Sequence, residues 1–239
     1  MAKLKWDQEG QKFFETGVSE VALYPAASSG GYGDGVAWSG MSSIQESPEG
    51  ADPNDVYADN IKYLTIIGAE NLKGTIEAFY YPDEFAECNG EVEALTEGGL
   101  YFGQQNRKAF GLVYKTVLGN DTQLTNYSYK LHFLYGCTIS PSDKEYATIN
   151  DNPEANTMSW EFSTVPNGDL PTVAGKTFKP TASVVVDASK ILAQTSNHMQ
   201  DLLDYVYGTG SGSTGTSPKL PSPRQIYNLL TTGSATDPT

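Results

Sequence analysis

Few residues in this chain could carry out catalysis. It has two histidines, His132 and His198, and the patterns HExxH, CxxC and GxSxG do not occur. His132 lies in an alternating strand pattern and His198 lies in a predicted helix, so we interpret both as hydrogen-bonded or solvated side chains. The sequence therefore offers few residues for histidine-dependent catalysis or zinc binding.

Carboxylates offer a second chemistry, since a glycosidase needs only two of them, about 5–9 Å apart. Glu77 and Glu161 interrupt strand patterns that are otherwise apolar on one face. Their positions in the sequence do not fix the distance between them. The favoured interpretation is that each marks a solvent-facing or subunit-facing side of a half-buried strand. We predict no catalytic residue and no cofactor.

A third candidate is the acidic stretch ESPEGADPNDVYADNIKYLT, residues 46–65. Its oxygen-bearing residues suggest calcium, but Tyr57 occupies the sixth position of the loop, where an EF-hand needs glycine. We therefore predict no metal site. Pro48 and Pro53 predict that the segment stays outside the sheet as an acidic loop, whose candidate binding residues are Glu46, Glu49, Asp52, Asp55 and Asp59.

Composition favours a β protein of one domain with tails. The 239 residues include 15 tyrosines, 24 glycines and 13 prolines, which suits short strands joined by turns. A net charge of −14 argues against a surface that grips nucleic acid. Cys88 and Cys137 are predicted to be reduced and buried. The N-terminus lacks a signal-peptide pattern, which predicts folding in a cytoplasm without a membrane partner.

Alternating and helical patterns place the elements. Pro82 to Gly90 predicts a short flanking helix, and Met199 to Val206 predicts a C-terminal helix ending at Gly208. We predict a mainly β sandwich or partial barrel spanning 1–207, followed by a flexible linker and short tail, 208–239, that docks on a partner or stays disordered. The predicted strands are 18–25, 35–44, 61–67, 74–81, 109–118, 126–138, 157–165 and 181–187.

Five long segments of the sequence resemble a known family in order and spacing. They are VAWSGMSSIQESPEGADPNDVYADNIKYLT, EAFYYPDEFAECNG, GQQNRKAFGLVYKTVLGND, YKLHFLYGCTISPSDKEYATINDNPEA and MSWEFSTVP. Together they resemble the major tail protein, or tail tube subunit, of long, non-contractile-tailed bacteriophages, over roughly Phe13 to Gly208.

The resemblance implies a structural protein of the virion tail, assembled in the host cytoplasm. Six copies would close into a ring, and the rings would stack into a tube around a tape measure protein, capped by tail-end proteins. Double-stranded DNA would pass through without specific binding, which suits acidic walls. The region Val36 to Ile67 matches the family's hairpin that contributes to the lumen and to ring stacking.

Two further expectations concern partners. Arg107 and Lys108 form a locally basic turn, which we predict contacts the acidic surface of a neighbouring subunit. The alternative function is a carbohydrate-binding β-sandwich module, in which exposed tyrosines such as Tyr80 or Tyr81 would form a sugar platform.

Overall fold

The structure is a computed structural model that describes residues 3–50, 52–68, 70–95, 98–144, 146, 148, 155–210 and 215–236. Within these residues the chain is mainly β, as predicted, with a few short helices. The strands are β1 Phe13–Pro25, β2 Val36–Ala37, β3 Met41–Gly50, β4 Pro53–Ala58, β5 Ile61–Ile67, β6 Glu70–Ala78, β7 Val92–Glu93, β8 Tyr101–Phe102, β9 Phe110–Asn120, β10 Leu124–Ile139, β11 Met158–Ser163 and β12 Ser183–Asp187. The helices are a 3-10 helix at Asp83–Phe85, α1 Ala188–Leu192, α2 Met199–Tyr207 and α3 Pro223–Thr232.

The main sheet is antiparallel, with the strand order β2-β1-β9-β10-β11-β6-β3 and with β12 also paired to β10. It curls over on itself, because the first core joins residues of β1 and β9 to residues of β6 and β11. The Tyr114 hydroxyl of β9 also donates to Glu46 of β3 across this core, at 2.5 Å. This first core contains Leu23, Trp38, Ile76, Phe85, Phe110, Leu112, Trp160 and Phe162, among others.

A second core lies on the opposite face of β1, β9, β10 and β12, where α2 and α3 cover the sheet. It contains Tyr24, Val113, Leu131, Phe133, Tyr135, Val186, Leu202, Val206, Ile226 and Leu229, among others. Because both faces are covered, the middle strands are buried on both sides, so a simple polar and apolar alternation does not describe them.

A bulge in β10 corrects one prediction. Strict period-two alternation along the predicted strand 126–138 predicts that Phe133, Tyr135 and Cys137 share one face. The pairing of β10 with β9 shifts between Leu134 and Cys137, and Gly136 between them has φ +59°. Such a bulge inserts one residue and reverses which face the following residues occupy. Cys137 therefore lies in the first core, while Phe133 and Tyr135 lie in the second.

The predicted free tail is packed on the domain. Leu220, Ile226 and Leu229 are buried in the second core, and the Tyr135 hydroxyl donates to the Pro221 carbonyl at 2.9 Å. Residues 211–214 of the predicted linker lie outside the described residues. The expectation that the tail docks on a partner or stays disordered is therefore wrong for its described part, since α3 covers apolar surface of its own chain.

Helix and cysteine predictions are confirmed where the structure describes them. Ser222 caps α3 with a capping box, and Pro223 is its first residue. The flanking helix is a single 3-10 turn that buries Phe85. Cys88 and Cys137 are both free and buried; burial raises the pKa of the Cys88 thiol to about 12.

Candidate functional site

The acidic stretch, residues 46–65, belongs to a long hairpin, whose base contains residues 46–50 of β3 and whose outer half is β4 and β5. The strand pairs Gly50–Glu70 of β3 and β6 and Pro53–Ile67 of β4 and β5 lie in one register, so the second ladder continues the first. The prediction that this segment is an acidic loop outside the sheet is therefore wrong. Pro48 fits in β3 because β3 pairs only with β6 and is an edge strand, and Pro53 fits because it is the first residue of β4.

The hairpin turns at Asp59 and Asn60, which both have positive φ, 52° and 63°. Two successive residues in this region form the type of two-residue turn that matches the twist of paired strands. Asp and Asn tolerate it better than most residues. An Asp-Asn pair before an alternating run was a hairpin signal in the sequence, and the neighbouring prolines obscured it.

The outer half, residues 53–67, has one apolar and one polar face. Residues that pair across antiparallel strands share a face. Asp55 pairs with Thr65 and also forms an ion pair with Lys62 at 2.7 Å, which defines the polar face. The other face carries the pairs Val56–Leu64, Ala58–Ile61 and Asn54–Ile66.

This apolar face is open to water in the single chain. Ile61 is 64% exposed, Ile66 is 54% exposed and Leu64 is 40% exposed. Tyr63 is also exposed, and so is Tyr57, which pairs with Lys62 and lies on the polar face. A two-stranded hairpin that buries nothing is at best marginally stable in water. The outer half thus has the chemistry of a surface that another molecule covers.

The five predicted acidic residues are spread along this hairpin and are not gathered at one point. Glu49 forms an ion pair with Lys73 on the neighbouring strand, and Asp52 is exposed between β3 and β4. The Lys62 ammonium, followed by the Thr65 hydroxyl, lowers the pKa of Asp55. Asp59 is at the tip.

Glu46 differs from the other four, because its carboxylate accepts a hydrogen bond from another strand of the main sheet. It accepts from Tyr114, whose ring stacks on His132 with 4.6 Å between centroids and 5° between planes. His132 Nε2 lies 3.0 Å from the Thr116 hydroxyl and 3.2 Å from Glu15 Oε1. This chain of contacts joins the base of the hairpin to β9, β10 and β1, and it confirms His132 as a hydrogen-bonded strand histidine.

The carboxylates considered for glycoside hydrolysis lie on the same face of the sheet. Ser159 pairs with Glu77, so Glu161 is a diagonal neighbour of Glu77, typically about 7–8 Å away between backbones. Glu77 accepts from the Ser43 hydroxyl at 2.9 Å. A shallow groove beside them is lined by Glu161 but not by Glu77. No group of three His, Cys, Asp or Glu residues able to hold a metal occurs among the described residues.

The basic turn contacts its own chain. Lys108 forms an ion pair with Glu87 at 2.8 Å, and the Arg107 side chain lies against Gly90. Arg107 Nε is buried and has no hydrogen-bond partner in the part of the chain that the structure describes. These contacts hold the segment before β9 against the turn that follows the 3-10 helix. Their use between subunits stays a prediction.

Comparison with known proteins identifies no family for this chain. No protein-family model matches the chain, and no curated protein matches it either. None of the helices in the described ranges is both long and apolar enough to cross a membrane. The structure defines a mainly β, antiparallel protein with an extended, half-apolar hairpin.

Proposed function

We propose that the chain is a structural subunit of a phage tail tube and has no enzymatic role. In this proposal six copies close into a ring, and stacked rings form the conduit through which double-stranded DNA leaves the virion. A tape measure protein and the tail-end proteins are its other partners. The sequence resemblance suggests this assembly, and a feature of the fold supports it.

The observation that carries the proposal is the open apolar face of the outer hairpin. Val56, Ile61, Leu64 and Ile66 lie on this face, beyond the part of the hairpin that packs on the core. Burying apolar surface contributes about 25 cal/mol per Å². A chain gains this only if another molecule covers the face, and a second copy of the same subunit does so in a stacked tube.

Edges and charge support the same proposal. β3 ends the sheet order, so the hydrogen-bonding groups along its outer edge are available to a strand of a neighbouring subunit. Closing a ring through such edges removes them from water. The net charge of −14 gives a conduit that repels phosphate, so DNA moves through it without being held.

The test is the assembly of purified protein, seen by negative-stain electron microscopy. Wild-type protein is expected to form rings or tubes when concentrated. Replacing Ile61, Leu64 and Ile66 together with serine is expected to abolish tubes. The melting temperature of the monomer should stay unchanged, since these side chains do not belong to either core.

The matched control changes the opposite face of the same hairpin. Thr65→Ala and Tyr57→Ser alter exposed residues on the polar face and are expected to leave tubes intact. Wild-type protein that stays monomeric at every concentration, and is absent from virion tails, would overturn the proposal. Tubes that persist in the triple serine variant would show that the apolar face is not what holds them.

Carbohydrate binding stays as the second candidate, because Tyr80 is 65% exposed. Its ring stacks on Tyr81, with 6.0 Å between centroids and 16° between planes. Tyr81 is less available than its sequence suggested, since it packs edge-on against Phe85 and Trp160 of the first core. A glycan-array signal that disappears in Tyr80→Ala would support this function.

A further inference from the structure

A second exposed apolar surface lies around β7 and β8, away from the outer hairpin. Val92 pairs with Phe102 and Glu93 pairs with Tyr101 in this short ladder. Val92, Tyr101, Phe102 and the nearby Tyr80 are all at least 40% exposed. Successive residues of a strand point to opposite faces, so Glu93 and Tyr101 face the groove that they line, whereas Val92 and Phe102 lie on the other face of the ladder. We name Tyr101, the nearby Tyr80 and this groove the β7–β8 patch.

The groove of the patch is acidic. It has a volume of about 370 Å³ and is lined by Tyr101, Lys108, Pro25, Ala86 and five carboxylates, Asp83, Glu84, Glu87, Glu91 and Glu93. Glu87 is paired with Lys108, and Glu91 with Lys144. The other three have no basic partner within the described ranges. The exposed Tyr101 ring beside unpaired carboxylates suits a segment that carries both lysines and apolar side chains.

The N-terminal arm, residues 3–7, has the complementary composition. It reads Lys3, Leu4, Lys5, Trp6, Asp7, and in an extended segment the two lysines lie on one side and Leu4 and Trp6 on the other. Leu4 and Trp6 are each 73% exposed. Neither lysine has a carboxylate partner within the described ranges.

The arm cannot reach the patch of its own chain. The arm is fixed near the β9–β10 turn, where Asn120 Nδ2 donates to the Gly10 carbonyl at 3.1 Å. From there β1 runs to Pro25, which lines the groove. Strand β1 spans roughly 33 Å, since it runs along β9 from Asn120 to Phe110 with two register shifts, whereas residues 3–9 reach at most about 25 Å when fully extended.

We propose that the arm of one copy docks in the β7–β8 patch of a second copy, with Lys3 and Lys5 on the groove carboxylates and Trp6 on the Tyr101 ring. The inference rests on the proposed self-assembly and adds a contact separate from the outer hairpin. Because the arm and the patch are different surfaces, the contact is head-to-tail, so it repeats from copy to copy and extends the assembly.

The experiment is disulfide cross-linking between two differently tagged variants of the full chain. Leu4→Cys places a thiol on the arm, and Gly103→Cys places one beside Phe102, at a position where an added side chain meets no atom within 4 Å. Gly168→Cys is the matched control partner, because it is equally open and does not line the groove. The native cysteines are buried and do not compete. The Leu4–Gly103 heterodimer is expected to exceed the Leu4–Gly168 heterodimer by about tenfold or more.

Charge reversal then tests the recognition. Lys3→Glu with Lys5→Glu in the arm variant should lower the Leu4–Gly103 yield at least about tenfold. Glu84→Lys with Glu93→Lys in the patch variant should restore it. Equal yields for Gly103 and Gly168, or a loss without rescue, would overturn the inference.

The proposed function and this inference can be refuted independently of each other. Wild-type tubes in which Leu4 and Gly103 do not cross-link would refute the arm contact alone. Absence of any ring or tube would refute the proposed function, whatever the cross-linking shows between soluble copies.

Discussion

The Tyr114 hydroxyl donates a hydrogen bond to Glu46 Oε1 at 2.5 Å, joining β9, the third strand in the sheet order, to β3, the last. Desolvation of the buried phenol, followed by the Glu46 carboxylate, raises the pKa of Tyr114, so the hydroxyl keeps its proton and stays a donor at neutral pH. The bond therefore fixes the base of the hairpin against the domain. It also sets the direction in which the outer half projects.

Tyr114→Phe is expected to lower the free energy of unfolding by about 1–3 kcal/mol, because Glu46 is left without its partner. The measurement is urea denaturation followed by far-UV circular dichroism. Tyr80→Phe is the control, since Tyr80 is 65% exposed, and its effect should stay within about 0.5 kcal/mol. Equal effects for the two variants would show that the hydrogen bond contributes nothing.

The sequence predicted the strands better than it predicted the hairpin. Seven of the eight predicted strands coincide with a single strand of the structure over most of their length, because alternation and β-branched or aromatic residues mark them. The predicted strand 35–44 instead covers β2, a break at residues 38–40 and the start of β3. The sequence missed β4, since Asp, Asn and Pro have low strand propensity. Cross-strand pairing with β5 and an edge position decide its conformation, and these are properties of the fold.

The sequence shows which residues of the candidate site are acidic, but it does not show which side chains surround each of them. The acidic character of Glu46 to Asp59 was evident from the sequence, whereas the internal bond of Glu46 depends on Tyr114, far away in the chain. The tail was misjudged for a similar reason. The apolar face of α3 was visible in the sequence, but the surface it covers is built by β1, β9 and β10, which only the folded sheet brings together.

Gly74→Ala is expected to destabilise the base of the hairpin. A Cβ at this position would lie 2.2 Å from the Gln45 carbonyl oxygen and 2.5 Å from the Phe162 ring, so the strands or the ring must shift. The expected loss in free energy of unfolding is about 1–3 kcal/mol. Thermal unfolding measures it, with Gly168→Ala as control because that position is open. An unchanged melting temperature for Gly74→Ala would contradict the close packing of β3, β6 and β11.

The lowered pKa of Glu15 predicts that the folded protein loses stability in acid. Burial alone would raise the pKa of Glu15, but hydrogen bonds from Lys130 and Thr116 outweigh it and lower the pKa below its ordinary value of 4.5. Its contribution is therefore complete above pH 4.5 and disappears as the pH falls through the lowered pKa, since the unfolded chain binds the proton first.

Glu15→Gln should accordingly reduce stability at pH 7, and the difference from wild type should shrink as the pH falls well below 4.5. Denaturant unfolding at several pH values measures this difference. Glu161→Gln removes an exposed carboxylate and should show little difference at any pH. A difference for Glu15→Gln that is constant with pH would show that packing, and not charge, is responsible.

Leu229→Ala tests whether the tail belongs to the domain. Leu229 is 3% exposed in the second core, so truncating it leaves a cavity against α2 and the sheet, at an expected cost of about 2–5 kcal/mol. Thr231→Ala on the exposed side of α3 should change stability by no more than about 0.5 kcal/mol. Chemical denaturation of both variants gives the comparison. If Leu229→Ala unfolds at the wild-type midpoint, α3 does not stabilise the domain, and the tail is free to serve a partner instead.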